Sequence, residues 1–589
     1  MASVSSCPLL PVLANPCSIL NPPENLTLSL ASTEKWLVSS LGSSSPSPEL
    51  AALHAVALKT GLARRNAVIS HLLQSSSPSS SLLLLRSLST PPDSPFPFNY
   101  LISSLSRLGS HLPALEAYSI LRFLSVPIDR STLPPVLRSA AFLSSIAAGH
   151  DAHALAFKTG LTDHLPVATA LIRFYFSLEL PDHARLIFDR CRTRDSILWN
   201  TAIAGLIRCR DVGMGRKMFD EMSKRDIVSW NVMISGYARI MDCISARKLF
   251  DQMPQRDVVS WNVLISCYVK QGSFSEAVDL FRKMQGLVAV RPNQVTVTEV
   301  LPACSYMGAL DLATWIHAYT ERQHMPIDLQ LTTALVDVYG RCGCIENAQK
   351  VFSQTRKRDT FLCSTMIEVL AMHGMANEAF RVFDNMRSEG IKPNDVTMIG
   401  LLKACAYEGL LEIGLGWFNK MEAELGLSPK MEHYGCIVEL LGRAGKLDDA
   451  YQLILNMPME PSAVVWSSLL NACAIHGDIA LAEKAGSRLI ELEPRGCGNY
   501  IGLSNVYSTG RRWKDAEKTR KLMTESGIIK KPGCSSIEVG NRVYEFYAGD
   551  RSHPECREIY EMLHRVAVRL KQAGCRPESC SELHEEVGM

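Results

Sequence analysis

Apolar residues recur at a helical spacing along most of the chain after residue 94. In several stretches they stand at i, i+4 and i+7, a spacing that places them on one face of a helix. These stretches contain Ala246, Phe250 and Met253, then Ala277, Phe281 and Met284, and then Ala379, Phe383 and Met386. Each stretch follows a mainly apolar segment and a short polar turn. The pattern predicts pairs of amphipathic helices joined by short turns.

These helix pairs form repeat units. The dipeptides Trp199-Asn200, Trp230-Asn231 and Trp261-Asn262 recur at intervals of 31 residues. The pattern divides residues 95–462 into eleven consecutive units of 31 to 36 residues, beginning at 95, 130, 165, 196, 227, 258, 294, 329, 360, 395 and 431. A single helix pair buries too little surface to be stable, whereas stacked pairs bury a continuous core. The sequence therefore predicts an all-α fold, a right-handed superhelical solenoid of two-helix repeats, with the Trp, Phe and Met stripes in its core.

The composition agrees with a folded chain and limits its chemistry. Of the 589 residues, 47% are hydrophobic and 20% are charged, so the chain can bury a sizeable core. Lys and Arg number 61 and Asp and Glu number 59, and the net charge of +2 excludes phosphate binding by bulk positive charge. Any nucleic-acid binding must use a local groove. No apolar run reaches the roughly 18 residues that a membrane span needs.

Two positions of the repeat unit carry polar residues that need an explanation. The fifth residue is Asn99, Thr169, Asn200, Asn231, Asn262, Thr298, Thr333 or Ser364. The last residue of the same units is Asp129, Asp195, Asp226, Asp257, Asn293, Asp328, Asp359 or Asn394. Asn and Thr donate and accept hydrogen bonds and Asp only accepts, so one pair per unit can address one base edge of single-stranded RNA. The alternative is that the last residue only caps the next helix and the Asn is a structural amide.

The repeat segments resemble a known family. VVSWNVLISCYVKQGSFSEAVDLFRKM and IVSWNVMISGYARIMDCISARKLFDQMPQRD resemble the pentatricopeptide repeats of land plants, and the mixed unit lengths resemble the PLS subclass. After residue 462, VVWSSLLNACAIHGDIALAEKA and YIGLSNVYSTGRRWKDAEKTRKLMTESGIIKKPGCSSIEV resemble the two E-type motifs, and VYEFYAGDRSHPECREIYEML resembles the extended E+ tail. The implied division is 1–50 organelle transit peptide or disordered, 51–94 degenerate repeat and linker, 95–462 eleven RNA-binding repeats, 463–533 E-type motifs, and 534–589 E+ type tail.

The resemblance implies a site-recognition factor for C-to-U RNA editing. Members with this tail bind one or a few sites in an organellar transcript, and the fifth and last residues of each repeat choose the base. Thr with Asp favours guanine, Asn with Asp uracil, Asn with Asn a pyrimidine, and Ser with Asn adenine. Three pairs depart from this pattern, namely Pro134 with His164, Ile399 with Lys430, and Gly435 with Ser462. Thr298 with Asp328 lies in a long repeat, where the code is less reliable, so the implied target is 5′-U-N-G-U-U-Y-N-G-A-N-N-3′.

The residues of a zinc deaminase are incomplete in this sequence. Such a site needs a His or Cys ligand, a Glu that moves the proton, and a Cys-x-x-Cys pair. His553-Pro554-Glu555 and His584-Glu585-Glu586 lack a following Cys-x-x-Cys, and Cys575 and Cys580 have four residues between them. We therefore expect no complete DYW deaminase domain, no enzymatic activity, no metal and no cofactor. The resemblance implies that the tail engages a separate DYW-type deaminase and other editing factors.

The N-terminal segment and the rival functions leave alternatives open. Residues 1–50 are Ser-rich, contain three acidic residues and lack Arg, which favours an organelle transit peptide, with a disordered tail as the alternative. The Arg-poor start favours the plastid, whereas the family resemblance favours the mitochondrion, which we rank slightly first. An organellar RNA stability, splicing or translation factor would share the same groove. A protein-interaction scaffold is the third hypothesis, since two-helix solenoids often bind peptides. We expect no membrane or DNA partner.

Overall fold

The computed structural model describes residues 94–287, 290–530, 533–539, 542–547 and 551–573. These residues form 27 helices and one two-stranded antiparallel sheet. The described residues divide into two compact parts, one up to residue 264 and one from residue 265 onward, with the boundary inside helix α11 (Val258–Gln271). The predicted segment 1–50 and residues 51–93 of the predicted segment 51–94 lie outside the described residues.

The N-terminal part contains five helix pairs followed by the first half of α11. The helices are α1 Phe96–Arg107, α2 His111–Phe123, α3 Leu133–Phe142, α4 Ile146–Lys158, α5 Leu165–Ser177, α6 Pro181–Arg190, α7 Ser196–Arg208, α8 Val212–Glu221, α9 Ile227–Arg239 and α10 Cys243–Gln252. The first helix of each pair packs against its own partner and against the first helix of the next pair, through α1, α3, α5, α7 and α9. This nearest-neighbour stacking is the packing of a solenoid.

The C-terminal part continues with the same two-helix arrangement. Its helices are α12 Phe274–Gln285, α13 Gln294–Met307, α14 Leu310–Arg322, α15 Leu329–Arg341, α16 Ile345–Gln354, α17 Thr360–Met372, α18 Ala376–Ser388, α19 Asp395–Glu408, α20 Leu411–Leu425, α21 Met431–Arg443 and α22 Leu447–Leu455. Four further helices follow, α23 Ala463–His476, α24 Ile479–Leu492, α25 Cys497–Thr509 and α26 Trp513–Glu525. They pack on α21 and on one another as two more pairs, so the segment that resembles the E-type motifs extends the solenoid.

A repeated aromatic contact joins neighbouring pairs in the N-terminal part. Phe250, on the second helix of one pair, meets the edge of Trp261 on the next first helix at a centroid distance of 4.8 Å. Arg256 lies over the same Phe250 ring at 4.8 Å and donates from Nε to the Phe250 carbonyl at 2.9 Å. Equivalent contacts join Phe188 to Trp199 and Phe219 to Trp230. The Trp and Phe stripes are therefore packing, and the predicted all-α solenoid of two-helix repeats is confirmed.

The turn between the two helices of a unit requires one residue in the left-handed region. Gly272 adopts φ +81° there, and Met241 occupies the equivalent turn of the preceding unit at φ 60°. A side chain at such a φ strains the backbone by roughly 1–2 kcal/mol. The turn geometry is thus kept even in units that lack glycine, which indicates that helix packing imposes it.

The described part of the tail contains a hairpin and one helix that the sequence analysis did not predict in detail. Strands β1 Cys534–Val539 and β2 Arg542–Tyr547 pair antiparallel, and helix α27 covers Cys556–Gln572. Glu538 Oε2 accepts a hydrogen bond at 2.9 Å from the backbone N–H of Asp311, in the first turn of α14. Ser536 Oγ donates to the carbonyl of Met307, the last residue of α13, at 3.2 Å. The hairpin therefore contacts the turn between α13 and α14.

Candidate nucleic-acid interface

The last residue of the unit accepts the same backbone hydrogen bond in all eight units with a predicted pair, and in seven of them it caps the next helix. Asp129 is the exception, because Thr132 and not Asp129 directly precedes helix α3. In each of the eight units a side-chain oxygen accepts a hydrogen bond from the backbone N–H three residues further on, at the start of the next unit. The acceptors are Asp129, Asp195, Asp226, Asp257, Asn293, Asp328, Asp359 and Asn394. This bond satisfies one of the N–H groups that a helix start leaves without an intrahelical partner. The capping role weighed from the sequence is therefore real, but it uses only part of the carboxylate.

The fifth-residue asparagines of three units contact the last residue of their own unit. Asn200 Nδ2 donates to Asp226 Oδ1 at 3.2 Å, and Asn231 Nδ2 donates to Asp257 Oδ1 at 3.1 Å. Asn99 Nδ2 lies 3.0 Å from both carboxylate oxygens of Asp129. The two positions singled out in the sequence are thus brought together in space although 26 or 30 residues separate them.

The fifth-residue threonines and serine make different contacts. Each Thr hydroxyl donates to the backbone carbonyl four residues earlier, at 2.7 Å for Thr169, 2.9 Å for Thr298 and 2.7 Å for Thr333. Ser364 Oγ instead lies 2.7 Å from Thr397 Oγ1 of the next unit, and Thr397 in turn bonds to the amide oxygen of Asn394. In the threonine units the hydroxyl is therefore directed to its own helix and not to the last residue. Asn262 is buried on α11, and Asn293 caps α13.

The carboxylates paired with asparagine have low pKa values. Burial alone would raise the pKa of Asp226, but hydrogen bonds from Ser229 and Asn200 outweigh it and lower that pKa. The pKa of Asp257 is likewise lowered, because bonds from Ser260 and Asn231 outweigh the effect of burial. Hydrogen bonds to the charged form favour ionisation. These groups consequently remain acceptors throughout the physiological pH range.

A groove runs along the first helices of the N-terminal part. It has a volume of about 1500 Å³, and its lining includes Thr169, Asp195, Asn200, Asp226, Asn231 and Asp257. The lining contains five arginines, Arg107, Arg138, Arg173, Arg208 and Arg239, and three aspartates. The groove is therefore locally basic although the whole chain is nearly neutral. Because the net charge of the whole chain is small, the composition predicts that any nucleic-acid site has such a local excess of positive charge.

Two further repeated positions line this groove and were missed in the sequence analysis. The second residue of the unit is apolar yet exposed, at 58% for Ile197, 55% for Val228 and 53% for Val259. Arg208 and Arg239 lie two helical turns beyond the fifth residue of their units. Both positions have a signal in the sequence, because each recurs at a constant distance from the Trp-Asn dipeptide. The apolar position looked like core, and only its exposure in the structure separates it from the packing stripe.

The units that depart from the pattern differ in structure as well. Pro134 lies in the first turn of α3, where it lines the groove without a polar side chain. Lys430 forms an ion pair with Asp395, and its backbone N–H donates to His433 Nδ1 at 3.0 Å. In this unit a histidine ring replaces the hydroxyl side chain found three residues after several other last residues. These positions supply no amide–carboxylate pair.

The described residues contain no group of His, Cys, Asp and Glu side chains that could hold a metal ion. His553 packs against the rings of Tyr544 and Phe546 beside the hairpin. The second His-x-Glu triplet and the pair Cys575 and Cys580 lie outside the described residues. Within the part of the chain that the structure describes, no helix is long and apolar enough to cross a membrane.

Family models match both the repeats and the tail. A PPR repeat model matches residues 197–227, 228–258 and 332–359, and a PPR repeat family model matches 256–305 and 358–407. The E motif matches 476–538 and the E+ motif matches 543–570.

Curated relatives and a solved structure agree with these matches. The chain is 36% identical over 550 residues to the pentatricopeptide repeat-containing protein At5g56310 of Arabidopsis thaliana, covering 92% of this chain and 98% of that protein. It is 34% identical over 459 residues to the chloroplastic protein At1g08070 of the same plant, covering 78% of this chain and about half, 53%, of that protein. It is 34% identical over 491 residues to the mitochondrial protein At2g03880, also of Arabidopsis thaliana, covering 83% of this chain and 67% of that protein.

The crystal structure of maize PPR10 has the same fold, with a TM-score of 0.56 at 18% identity over 85% of both chains. The fold, the repeats, the tail motifs and the relatives all point to one family. The chain belongs to the pentatricopeptide repeat family, with the E and E+ motifs of its PLS subclass.

Proposed function

We propose that this protein binds single-stranded RNA of a plant organelle in a sequence-specific manner, one nucleotide per repeat unit. The observation that carries the proposal is the groove, in which hydrogen-bonded pairs such as Asn200 with Asp226 and Asn231 with Asp257 alternate with exposed apolar residues and arginines. A protein-interaction scaffold has no need for an amide–carboxylate pair at a fixed position of successive units. Maize PPR10 has also been solved in complex with an 18-nucleotide RNA element.

Each part of the groove matches one part of a nucleotide. The amide and carboxylate of a pair supply donors and acceptors for the edge of a single unstacked base. The exposed second residues, such as Val228 and Val259, offer apolar contact to the base faces, which every base presents. The arginines, such as Arg208 and Arg239, attract the phosphates. The pair sets the base preference, and the other two positions supply affinity without sequence preference.

An unpaired acceptor in two of the pairs supports this assignment. The amide oxygens of Asn200 and Asn231 are buried and have no hydrogen-bond partner among the residues that the structure describes. A buried acceptor without a partner costs roughly 1–3 kcal/mol. A base that donates a hydrogen bond to the amide after a small rotation of the side chain would recover this energy.

The predicted target is 5′-U-N-G-U-U-Y-N-G-A-N-N-3′, with the edited cytidine a few nucleotides beyond its 3′ end. The test is a binding titration of the full chain with this RNA and with scrambled RNA of equal composition. We expect tighter binding of the predicted sequence by at least roughly tenfold, since a mismatch typically costs 1–3 kcal/mol in nucleic-acid recognition. Equal affinity for both RNAs would refute the base assignment.

We further propose that the tail recruits a DYW-type deaminase in trans, so that the chain directs editing without catalysing it. Helix α27 supports this, because none of its residues is buried and its apolar side chains Leu563, Val566 and Leu570 are all exposed on one side. An exposed apolar stripe of this kind is typical of a protein-binding surface.

The recruitment test compares two variants with the same change in charge. Leu563→Glu places a carboxylate in the apolar stripe, whereas Arg565→Ala removes a positive charge from the other side of α27. We expect the first to abolish co-purification of a DYW-type deaminase and the second to retain it, with RNA affinity unchanged in both. Uridine formation by the purified protein with zinc alone would contradict recruitment. If a mutant plant that lacks this protein edited its transcripts normally and instead retained an intron or produced an altered transcript end, the splicing or stability role would be favoured.

We propose a plant organelle as the location of this protein. Relatives of this chain are named both chloroplastic and mitochondrial, which supports a plant organelle without preferring either one. We place the protein in the mitochondrion first. A fluorescent reporter fused to residues 1–60 is expected to enter mitochondria, and plastid fluorescence would correct the assignment.

A further inference from the structure

The third residue of each repeat unit varies together with the fifth residue of the unit before it. Where the fifth residue is Asn or Ser, the third residue of the next unit is Ser or Thr. Where the fifth residue is Thr, the third residue of the next unit is Leu. The hydroxyl cases are Asn99 with Thr132, Asn200 with Ser229, Asn231 with Ser260, Asn262 with Thr296, and Ser364 with Thr397. The leucine cases are Thr169 with Leu198, Thr298 with Leu331, and Thr333 with Leu362.

In the hydroxyl cases the third residue bonds to the last residue of the preceding unit. Asp257 Oδ1 accepts from the Ser260 backbone N–H at 2.9 Å, from Ser260 Oγ at 2.6 Å, and from Asn231 Nδ2 at 3.1 Å. Asp226 Oδ1 receives the equivalent three bonds from Ser229 and Asn200. In these two units three donors therefore converge on Oδ1, and Oδ2 is the less occupied oxygen that a ligand can approach. In the Asn99–Asp129 pair the amide contacts both carboxylate oxygens.

In the leucine cases the side chain of the third residue has no hydrogen-bond donor. Asp195 Oδ1 accepts from the Leu198 backbone N–H at 2.8 Å, and the Leu198 side chain is fully buried. Thr169 directs its hydroxyl to the carbonyl of Leu165. Asp328 and Asp359 accept the same backbone bond from Leu331 and Leu362. Among the described residues this N–H is the one hydrogen-bond donor to each of these carboxylates, so both oxygens of Asp195 can be presented to the groove.

The difference matches the donor patterns of two bases. Guanine presents two adjacent donors on its Watson–Crick edge, the N1–H and the amino group, and two carboxylate oxygens accept both. Uracil presents one donor, N3–H, between two carbonyls, so a second free carboxylate oxygen would face a carbonyl oxygen. We propose that the third residue of the following unit is a positioning residue for base choice, in which a hydroxyl favours uracil over guanine and a leucine favours guanine. This rests on the function proposed above.

The hydroxyl also takes part in helix capping. Its oxygen accepts a hydrogen bond from the backbone N–H of the last residue, at 3.3 Å from Asp226 to Ser229 and at 3.2 Å from Asp257 to Ser260, and so completes a capping box. The backbone N–H bond to the last residue is present in all eight units, whether the third residue is Ser, Thr or Leu. The third residue is buried in all eight as well. A leucine keeps the backbone N–H bond and the burial but cannot complete the capping box. A role in base choice is therefore separated from capping by its effect on RNA preference, and not by its effect on stability.

The test uses the Asn231–Asp257 pair, which is expected to read the fifth nucleotide of the target. The full chain is titrated with the 11-nucleotide RNA that carries uracil at this nucleotide and with the same RNA carrying guanine. Ser260→Ala removes the hydroxyl, and we expect the preference for uracil over guanine to fall by roughly three- to tenfold, the equivalent of one hydrogen bond. Ser260→Thr keeps a hydroxyl, as Thr296 and Thr397 do, and should retain the wild-type ratio.

The outcomes separate this proposal from the function on which it rests. A wild-type protein that binds the RNA without preferring uracil at the fifth nucleotide would overturn the base assignment, and this proposal with it. A wild-type preference that survives Ser260→Ala, or a variant that loses affinity for both RNAs equally, would overturn this proposal alone. Leu198→Thr is the reciprocal variant, expected to weaken the preference for guanine at the third nucleotide. Circular dichroism verifies that each variant is folded.

Discussion

At the residue scale, one carboxylate serves two purposes in the same geometry. Asp257 Oδ1 caps helix α11 through the Ser260 N–H and also accepts from Asn231, so its second oxygen is directed by bonds that folding already requires. A protein side chain that the fold already holds in place loses little conformational entropy when RNA binds, and this favours affinity. The two interpretations weighed from the sequence, cap and base contact, are therefore compatible in a single side chain.

The first prediction concerns the fifth residue itself. Asn231→Thr should change the preferred fifth nucleotide from uracil towards guanine. A threonine hydroxyl bonds its own helix, as Thr169 does, so Asp257 loses the Asn231 donor while both bonds from Ser260 remain. Titration with the four RNAs that differ only at this nucleotide measures the change. An identical order of affinities in variant and wild type would contradict the base assignment for this pair.

The second prediction concerns pH. The pKa values of Asp129, Asp226 and Asp257 lie below the ordinary value of 3.8, so their contribution to stability is complete above that value and is lost as the pH falls through the lowered pKa. The preference for uracil should thus be constant between pH 5.5 and pH 8, the range that binding titrations at the two limits would compare. A preference that collapsed at pH 5.5 would show that these carboxylates are not the acceptors.

At the scale of helices and turns, the same capping bond occurs inside and outside the groove. Asp226 caps α9 at its groove end, and Asp242 caps α10, the second helix of that unit, by an equivalent bond from Ser245 at 3.0 Å. Only Asp226 lines the groove. The chain thus provides its own matched control for separating helix capping from RNA binding.

The third prediction compares the two capping residues Asp226 and Asp242. Asp226→Ala and Asp242→Ala should each lower the free energy of unfolding by about 1 kcal/mol, the usual value of an N-cap. Only Asp226→Ala should also weaken RNA binding and reduce the preference for uracil at the fourth nucleotide. Denaturant unfolding and RNA titration of both variants measure the two effects. Equal RNA affinity in the two variants would mean that the last residue is only a cap.

The fourth prediction concerns the turns between paired helices. Met241→Gly should raise the free energy of unfolding by roughly 0.5–1 kcal/mol, because glycine adopts a positive φ without the strain of a side chain. Gly272→Ala, at the equivalent turn, should lower it by about 1 kcal/mol, since its added Cβ would touch nothing and only the backbone is strained. Denaturant midpoints of both variants measure the two changes in the free energy of unfolding, which should have opposite signs.

At the scale of the whole molecule, net charge and local charge differ in their consequences. The chain carries a net charge of only +2, yet the groove of its N-terminal part contains five arginines and three aspartates. Binding should therefore be salt-sensitive with few ions released, because only the local phosphate contacts release counterions.

The fifth prediction measures those contacts. Arg239→Ala should reduce the slope of log affinity against log salt concentration by about 0.7, the value for one phosphate contact on a single strand. Arg216→Ala is the control, because Arg216 lies on α8 in an ion pair with Asp220 at 2.9 Å and does not line the groove. Equal slopes in wild type and Arg239→Ala would remove Arg239 from the phosphate contacts.

Much of this molecule follows from the sequence because its contacts are local and repeated. The spacing of Ala246, Phe250 and Met253 suffices to predict a helix with one buried face, and the recurrence of Trp-Asn suffices to predict units that stack on their neighbours. Because each unit packs only against its neighbours, the contacts of one unit predict those of the next. The positions of the fifth and last residues follow from the same register, so the candidate pairs could be identified from spacing alone.

What only the tertiary structure decided depends on contacts between residues far apart in the chain. Exposure separates Val228 from the core, and the bond from Ser260 distinguishes the carboxylate of Asp257 from that of Asp195. The contact of Glu538 with the start of α14 joins residues 227 positions apart, which no repeat period encodes. Periodicity specifies which face a residue occupies on its own helix. Which side chain meets it there depends on how the neighbouring helices pack.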